Sequence, residues 1–273
     1  MKTALTIAGS DSSGGAGIQA DIKSFQALGV FGMSAITAVT VQNTQKVYDI
    51  QEMRPNIVSG QISCIFADIP VHAVKIGMVS SIPLIEAVAG ALSEIARRPP
   101  VVLDPVMISK SGYPLLRADA REALVRHLFP LAETVTPNLF EAEALVKRDL
   151  RSLDAMRDAA REIIDLGAST VVVKGGHLEG ETAVDILFDG KEFQELSVDR
   201  IETPNTHGTG CTFSSAIAAN RALGYPFFEA VKRAKDYISG AIANSFPLGG
   251  GHGPTHHFFD LYRRAGLYER INR

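Results

Sequence analysis

Along most of the 273-residue chain, short runs of consecutive apolar residues alternate with longer stretches whose apolar positions recur every three or four residues. The runs at residues 4–8, 35–41, 73–76, 101–103, 133–136 and 170–174 predict strands, and several lack polar alternation, as strands covered on both faces do. Between them Ile18, Ile22, Phe25 and Leu28 fall at helical spacing, and residues 83–96 and 153–166 behave alike, each offering an apolar stripe to a sheet face. Two further β-type runs, 182–188 and 191–198, are joined through Asp189-Gly190, a hairpin-turn dipeptide. Helices over 212–223 and 226–245 follow, then a glycine-rich loop at 249–254 and a short C-terminal segment. The pattern predicts an α/β fold, one domain over residues 1–273, with an open, mainly parallel central sheet and an antiparallel extension late in the chain. Ligands of such sheets bind beyond the carboxyl ends of the strands, so the polar residues just after each strand carry the interest.

Composition narrows the choices. With 46% hydrophobic and 21% charged residues, disorder, collagen and coiled coil are excluded as whole-chain readings. A net charge of −3 without a block of like charges argues against nucleic-acid binding. The two cysteines, Cys64 and Cys211, have no disulfide or zinc spacing, and the expected compartment is a reducing cytoplasm. The N-terminal apolar stretch is too short for a signal peptide, and no run of about 18 apolar residues predicts a membrane span.

The first strand leads into Gly9-Ser10-Asp11-Ser12-Ser13-Gly14-Gly15-Ala16-Gly17, a loop that lets backbone amides approach a ligand or simply makes a tight, capped connection. It fits neither the dinucleotide nor the P-loop pattern. Gln42, after the second strand, offers an acceptor and two donors suited to a flat heteroaromatic ring, as an exposed turn residue also would. Asp21, in the next helix, either holds a polar ligand group or faces solvent.

The fourth and fifth strands run into Asp104-Pro105-Val106-Met107 and Thr136-Pro137-Asn138-Leu139-Phe140-Glu141. Asp104 and Glu141 are hard oxygen donors suited to Mg²⁺; each segment alone reads as readily as helix capping. Lys174-Gly175-Gly176-His177 puts a cation on the same rim. Thr206-His207-Gly208-Thr209-Gly210-Cys211-Thr212 precedes a helix, so its amides and the helix dipole can converge on an anion. Cys211 at that helix start is expected to be a thiolate or polarised proton acceptor, or else a small buried residue. His207 either meets phosphate or packs in the loop. Jointly these strand ends form the equipment of phosphoryl transfer to a hydroxyl.

The Gly208-Thr209-Gly210-Cys211 loop, the Asn138-Leu139-Phe140-Glu141 box and the Lys174-Gly175-Gly176-His177 turn resemble the ribokinase-like superfamily in its vitamin-kinase branch. The stretch from Ala8 through Gly17 to Asp21, together with Thr40-Val41-Gln42-Asn43-Thr44, Lys75-Ile76-Gly77-Met78 and Asp104-Pro105-Val106-Met107, is similar to the hydroxymethylpyrimidine/phosphomethylpyrimidine kinases of thiamine biosynthesis. The similarity runs from about residue 4 to Gly253-Pro254 and His256-His257. It implies a ribokinase-like three-layer sandwich, a homodimer, ATP as co-substrate and Mg²⁺. It implies phosphorylation of 4-amino-5-hydroxymethyl-2-methylpyrimidine and then of its monophosphate. By matched position Gln42 bonds the aminopyrimidine in a pocket with Gly9, Asp21 and Met78, and Asp104 and Glu141 organise Mg²⁺. Asn138 and Lys174 take the phosphates, Gly208, Thr209, Gly210 and Cys211 form the anion hole, and Lys235 approaches the nucleotide. Sugar kinases carry an aspartate where this chain has Cys211, so the expected role of Cys211 is to position the acceptor while the loop amides stabilise the transferring phosphoryl. The competing readings are a pyridoxal kinase and a pyrimidine-binding relative without turnover; intact Asp104, Glu141, Lys174 and glycine loop speak against the second.

Overall fold

The computed structural model describes residues 1–176, 178 and 180–267. Its strands are β1 (Thr3–Ser10), β2 (Phe31–Gln42), β3 (Val47–Glu52), β4 (Ala73–Ile76), β5 (Val101–Leu103), β6 (Thr134–Val135), β7 (Thr170–Val173), β8 (Thr182–Phe188) and β9 (Phe193–Asp199). Its helices are α1 (Gly17–Ala27), α2 (Pro55–Asp68), α3 (Ile82–Ser93), α4 (Arg121–Leu128), α5 (Leu139–Val146), α6 (Leu153–Asp165), α7 (Thr209–Ala222), α8 (Phe227–Ala243) and α9 (Phe259–Arg264). The strands form one sheet in the order β3-β2-β1-β4-β5-β6-β7-β8-β9. From β2 to β7 every pairing is parallel, and β3, β8 and β9 are antiparallel.

Side chains of a strand alternate between faces, so the sheet divides the core in two. Leu5, Ile7, Val74, Ile76, Leu103 and Val173 pack on one face with Ile62 of α2, Ile85 of α3, Leu124 of α4, Leu145 of α5 and Ile163 of α6. Ala4, Ala73, Val102 and Val172 pack on the other with Phe25 of α1, Phe213 and Ile217 of α7, and Val231 and Ile238 of α8. The expected three-layer α/β sandwich is the observed architecture, and no helix among the described residues is long and apolar enough to cross a membrane.

Two local features differ from the sequence pattern. The antiparallel extension is not confined to the late part of the chain, because β3 returns against β2 at the opposite edge. Half of β3 is solvent-exposed and only Val47 is buried, so it carries no apolar run that would predict a strand. The hairpin predicted at Asp189-Gly190 forms, but β9 starts at Phe193 and not at Lys191: Asp189 N donates to Glu192 O at 3.3 Å and Asp189 Oδ1 accepts from the amides of Lys191 and Glu192, so the turn takes in residues 189–192.

Candidate active site

A cavity of about 760 Å³ opens at the carboxyl ends of the strands. Gly9, Gln42, Met78, Asp104, Asn138, Glu141, Lys174, Gly208, Thr209, Gly210, Cys211 and Lys235 all line it. Asp21 does not: its carboxylate is buried behind the wall, where Thr6 Oγ1 and Ser215 Oγ each donate at 2.6 Å and Lys75 Nζ donates to both oxygens at 3.0 Å. With those partners Asp21 has no oxygen free for a ligand, and the expectation that it shapes the pocket directly gives way to a supporting role beneath it. Lys75 is the partner that Asp21 needs, and a lysine inside the apolar run Ala73-Val74-Lys75-Ile76 signals a buried carboxylate beside it. Burial alone would drive its ammonium down, and the charges of Asp21 and Asp104 with the hydrogen bond to Asp21 instead hold it above the usual lysine range.

The start of α7 joins the two halves of the cavity. Gly208 holds φ 77° as the N-cap, a left-handed conformation that suits glycine, and an added Cβ would collide with the Gly15 carbonyl of the β1–α1 loop. On the other side, a Cβ on Gly210 would stand 3.5 Å from both Asp104 Oδ2 and Lys174 Nζ. The first intrahelical bond runs from Thr212 N to Gly208 O at 2.8 Å, so the amides of Gly210 and Cys211 precede the helical ladder and are available to an anion.

Lys174, Asp104 and Glu141 meet beside that helix start. Lys174 N bonds the Pro137 carbonyl at 2.9 Å, and its Nζ reaches Asp104 Oδ1 at 2.9 Å. Glu141 closes a capping box on α5: Asn138 Oδ1 accepts from Glu141 N at 2.9 Å and Glu141 Oε2 accepts from Asn138 N at 2.8 Å. The capping reading and the site reading of Asn138 therefore coexist. Burial pushes the Glu141 carboxyl up, opposed by Lys174 and reinforced by Asp104, to about 7. Among the described residues no group of three His, Cys, Asp or Glu forms a ready-made cage. Two neighbouring carboxylates with open space beside them fit a dication that keeps its waters and is completed by substrate phosphates.

Lys235 is paired with Asp185 at 2.6 Å, and Asp185 also accepts from Gly175 N at 3.0 Å, anchoring the turn after Lys174. Asp185 escaped the sequence reading, yet an acid between Val184 and Ile186 in an otherwise apolar strand is a signal of the same kind as Lys75. His177 lies outside the described residues.

For Cys211 the surroundings favour the neutral thiol over the thiolate. Burial, with the charges of Asp21 and Asp104, outweighs Lys75 and pushes its thiol up to about 11, so at neutral pH it is a thiol and not a thiolate. The helix-start effect on a cysteine is overridden here by loss of solvation at a partly exposed position in the cavity wall and by acidic neighbours. At pH 8, iodoacetamide is expected to modify the exposed Cys64 and to leave Cys211 largely unreacted, read by peptide mass spectrometry; rapid labelling of Cys211 would contradict this environment.

Residues 11–256 match the phosphomethylpyrimidine kinase family. A hydroxymethylpyrimidine/phosphomethylpyrimidine kinase of Rhizobium meliloti is 52% identical over 93% of this chain and 96% of its own. The solved phosphomethylpyrimidine kinase of Clostridium difficile is 48% identical, with a TM-score of 0.79 over 89% of this chain and all of that one. An ADP complex of Bacillus subtilis pyridoxal kinase is 43% identical, with a TM-score of 0.86 over 94% of this chain and 97% of that one. A match over nearly the whole length, at such identity and with the strand-end residues gathered in one cavity, establishes that this chain belongs to the phosphomethylpyrimidine kinase family.

Proposed function

We propose that this chain transfers the γ-phosphoryl group of ATP to the 5-hydroxymethyl group of 4-amino-5-hydroxymethyl-2-methylpyrimidine, and then a second one to the resulting monophosphate. The observation that carries the reading is the placement of the α7 start, with Gly208 against Gly15 on the Gln42 side and Gly210 against Asp104 and Lys174 on the other. A phosphoryl group held there would meet the acceptor from one side and the nucleotide phosphates from the other, which is the positioning such transfer requires.

Within this reading Gln42, Gly9 and Met78 contact the pyrimidine. The amides of Gly208, Gly210 and Cys211 stabilise the transferring oxygens while the Thr209 amide, bonded to the Thr206 carbonyl at 3.3 Å, holds the loop; Lys174 and Asn138 hold the phosphates, and Lys235 approaches the nucleotide. Asp104 and Glu141 would hold Mg²⁺, which supplies charge neutralisation on the phosphates. Cys211, as a neutral thiol, positions the acceptor hydroxyl; its alcohol needs no full deprotonation before a loose transition state, and the second acceptor is already an anion. A homodimer of a single kinase domain accompanies the family resemblance, and sedimentation equilibrium tests it.

The raised pKa of Glu141 sets a pH dependence with a definite sign. The folded chain binds that proton more tightly than the unfolded chain, so this group removes stability as pH rises from the ordinary 4.5 through about 7. A dication bound by the ionised carboxylate offsets that loss. Mg²⁺ is therefore expected to raise the melting temperature more at pH 8 than at pH 6, with the difference abolished in Glu141→Gln; equal shifts at both pH values would contradict the assignment.

Release of ADP with Mg²⁺ and, separately, the hydroxymethylpyrimidine, its monophosphate or pyridoxal tests the function. Turnover on both pyrimidines supports the proposal, turnover on pyridoxal alone replaces the acceptor, and none on all three favours a binding protein.

A further inference from the structure

Among the described residues, every basic side chain in the wall of the main cavity but one has a polar partner. Lys174 Nζ bonds Asp104 at 2.9 Å, Lys235 Nζ bonds Asp185 at 2.6 Å and Lys75 Nζ bonds Asp21 at 3.0 Å. The Arg200 guanidinium donates to the carbonyls of Gly176, Leu178 and Gly180, and His207 Nε2 meets Asp11 at 2.7 Å. Lys110 lines the same cavity, is exposed, and among the described residues makes no hydrogen bond or ion pair.

The chain after β5 folds into a hairpin that fixes where this ammonium starts from. Ile108 pairs with Pro114, Ser109 N donates to Tyr113 O at 2.8 Å, and Gly112 N donates to Ser109 O at 3.0 Å with Gly112 in the left-handed region at φ 85°. Ser109 Oγ accepts from Tyr113 N at 2.9 Å and braces the turn from inside. Lys110 stands at its tip, where besides the main cavity it lines a narrow crevice shared with Gln42, Thr44, Lys46, His207 and His252. Gln42 puts that crevice at the acceptor end, and among the described residues no carboxylate lines it. Lys46, the other ammonium there, lies over the Tyr48 ring at 4.6 Å. Lys110 is therefore a free positive charge beside the acceptor.

The two acceptors of the proposed reaction differ most in charge. The hydroxymethyl group carries none, whereas the phosphate of the monophosphate carries about two negative charges at neutral pH. In the second transfer an oxygen of that phosphate forms a bond to the γ-phosphorus of ATP, the bond from the γ-phosphorus to the bridging oxygen breaks, and ADP leaves with the electron pair; a dianionic acceptor gives up no proton. The dianion approaches the γ-phosphoryl group against like charge, and in the proposed site Lys174 is already shared between Asp104 and the nucleotide. We propose that Lys110 is a specificity-determining residue for the second transfer: its ammonium meets the phosphate of the monophosphate acceptor and neutralises part of its charge. The inference rests on the reading of this chain as a kinase of both pyrimidines, with Gln42 at the acceptor end.

The test is initial-rate kinetics of the wild-type chain, K110M and K110R with ATP, Mg²⁺ and, in separate reactions, the hydroxymethylpyrimidine or its monophosphate. The expected result is a KM for the monophosphate raised about tenfold in K110M and within about threefold of wild type in K110R, with KM for the hydroxymethylpyrimidine and for ATP within about twofold in both variants. Added salt is expected to raise the monophosphate KM more in wild type than in K110M. A merely structural role of the hairpin tip would raise KM for both pyrimidines together, without rescue by arginine, and a role toward the nucleotide would raise KM for ATP with either acceptor. Either pattern, or a wild-type KM for the monophosphate in K110M, overturns the inference. A wild-type chain that phosphorylates neither pyrimidine overturns the functional reading, and one that stops at the monophosphate overturns its second step; this inference falls with either.

Discussion

Replacing Lys174 by methionine is expected to lower kcat by about 10²–10³-fold while the chain remains folded. Lys174 Nζ is the cation beside Asp104, and the Gly210 backbone approaches both, so it stands where charge on a transferring phosphoryl would develop. Its removal also leaves Asp104 and Glu141 as neighbouring acids without an intervening positive charge. Burial and Asp104 already raise the Glu141 carboxyl, and Lys174 is what opposes them. Loss of Lys174 should therefore move Glu141 further up and shift the acid limb of the pH–rate profile toward higher pH. Lys174→Arg keeps the charge and should retain part of the activity. Steady-state kinetics across pH, with a thermal melt to establish folding, checks both effects; a kcat for K174M within about threefold of wild type would remove Lys174 from the phosphate site.

The largest expected effect on stability comes from Asp21. Both Asp21 and Lys75 have side chains with 0% exposure, and the carboxylate is fully occupied by Thr6, Lys75 and Ser215. These contacts tie β1, α1, β4 and α7 together directly beneath the cavity. Asp21→Ala leaves an ammonium buried with no carboxylate beside it, which is expected to cost about 3–5 kcal/mol, a fall in melting temperature on the order of 10 °C. The double variant Asp21→Leu with Lys75→Met removes both charges and should recover most of that loss, because a buried pair is costly chiefly when broken. Urea unfolding of the single and double variants measures the difference. A double variant no more stable than Asp21→Ala would show that the charges contribute more than their mutual neutralisation.

Much of this architecture is legible before any coordinates. Unbroken apolar runs such as Val101-Val102-Leu103 identify central strands because both faces are covered, and residues 73–76, 101–103 and 182–188 coincide with β4, β5 and β8. The strand-end rule then leads to Gln42, Asp104, Asn138, Glu141, Lys174 and the 208–211 loop, all of which line one cavity. What escapes the sequence is pairing across the sheet. β3 shows no apolar run because it is an exposed edge, and α2 buries Val58 and Ile62 with little periodic contrast along its length. Asp21 is a site residue by motif but a buried strut by contact, since Lys75 and Ser215 reach it from 54 and 194 residues away. The state of Cys211 depends on packing and on three-dimensional neighbours, which a local helix-start argument does not contain.

The measurement that tests the central claim most directly is a time course with ATP, Mg²⁺ and 4-amino-5-hydroxymethyl-2-methylpyrimidine, with products identified by mass. The account predicts that the monophosphate appears first and is then consumed as the diphosphate accumulates, at two ATP per pyrimidine. A chain that forms no phosphorylated pyrimidine, and under the same conditions converts pyridoxal to its phosphate, would contradict it.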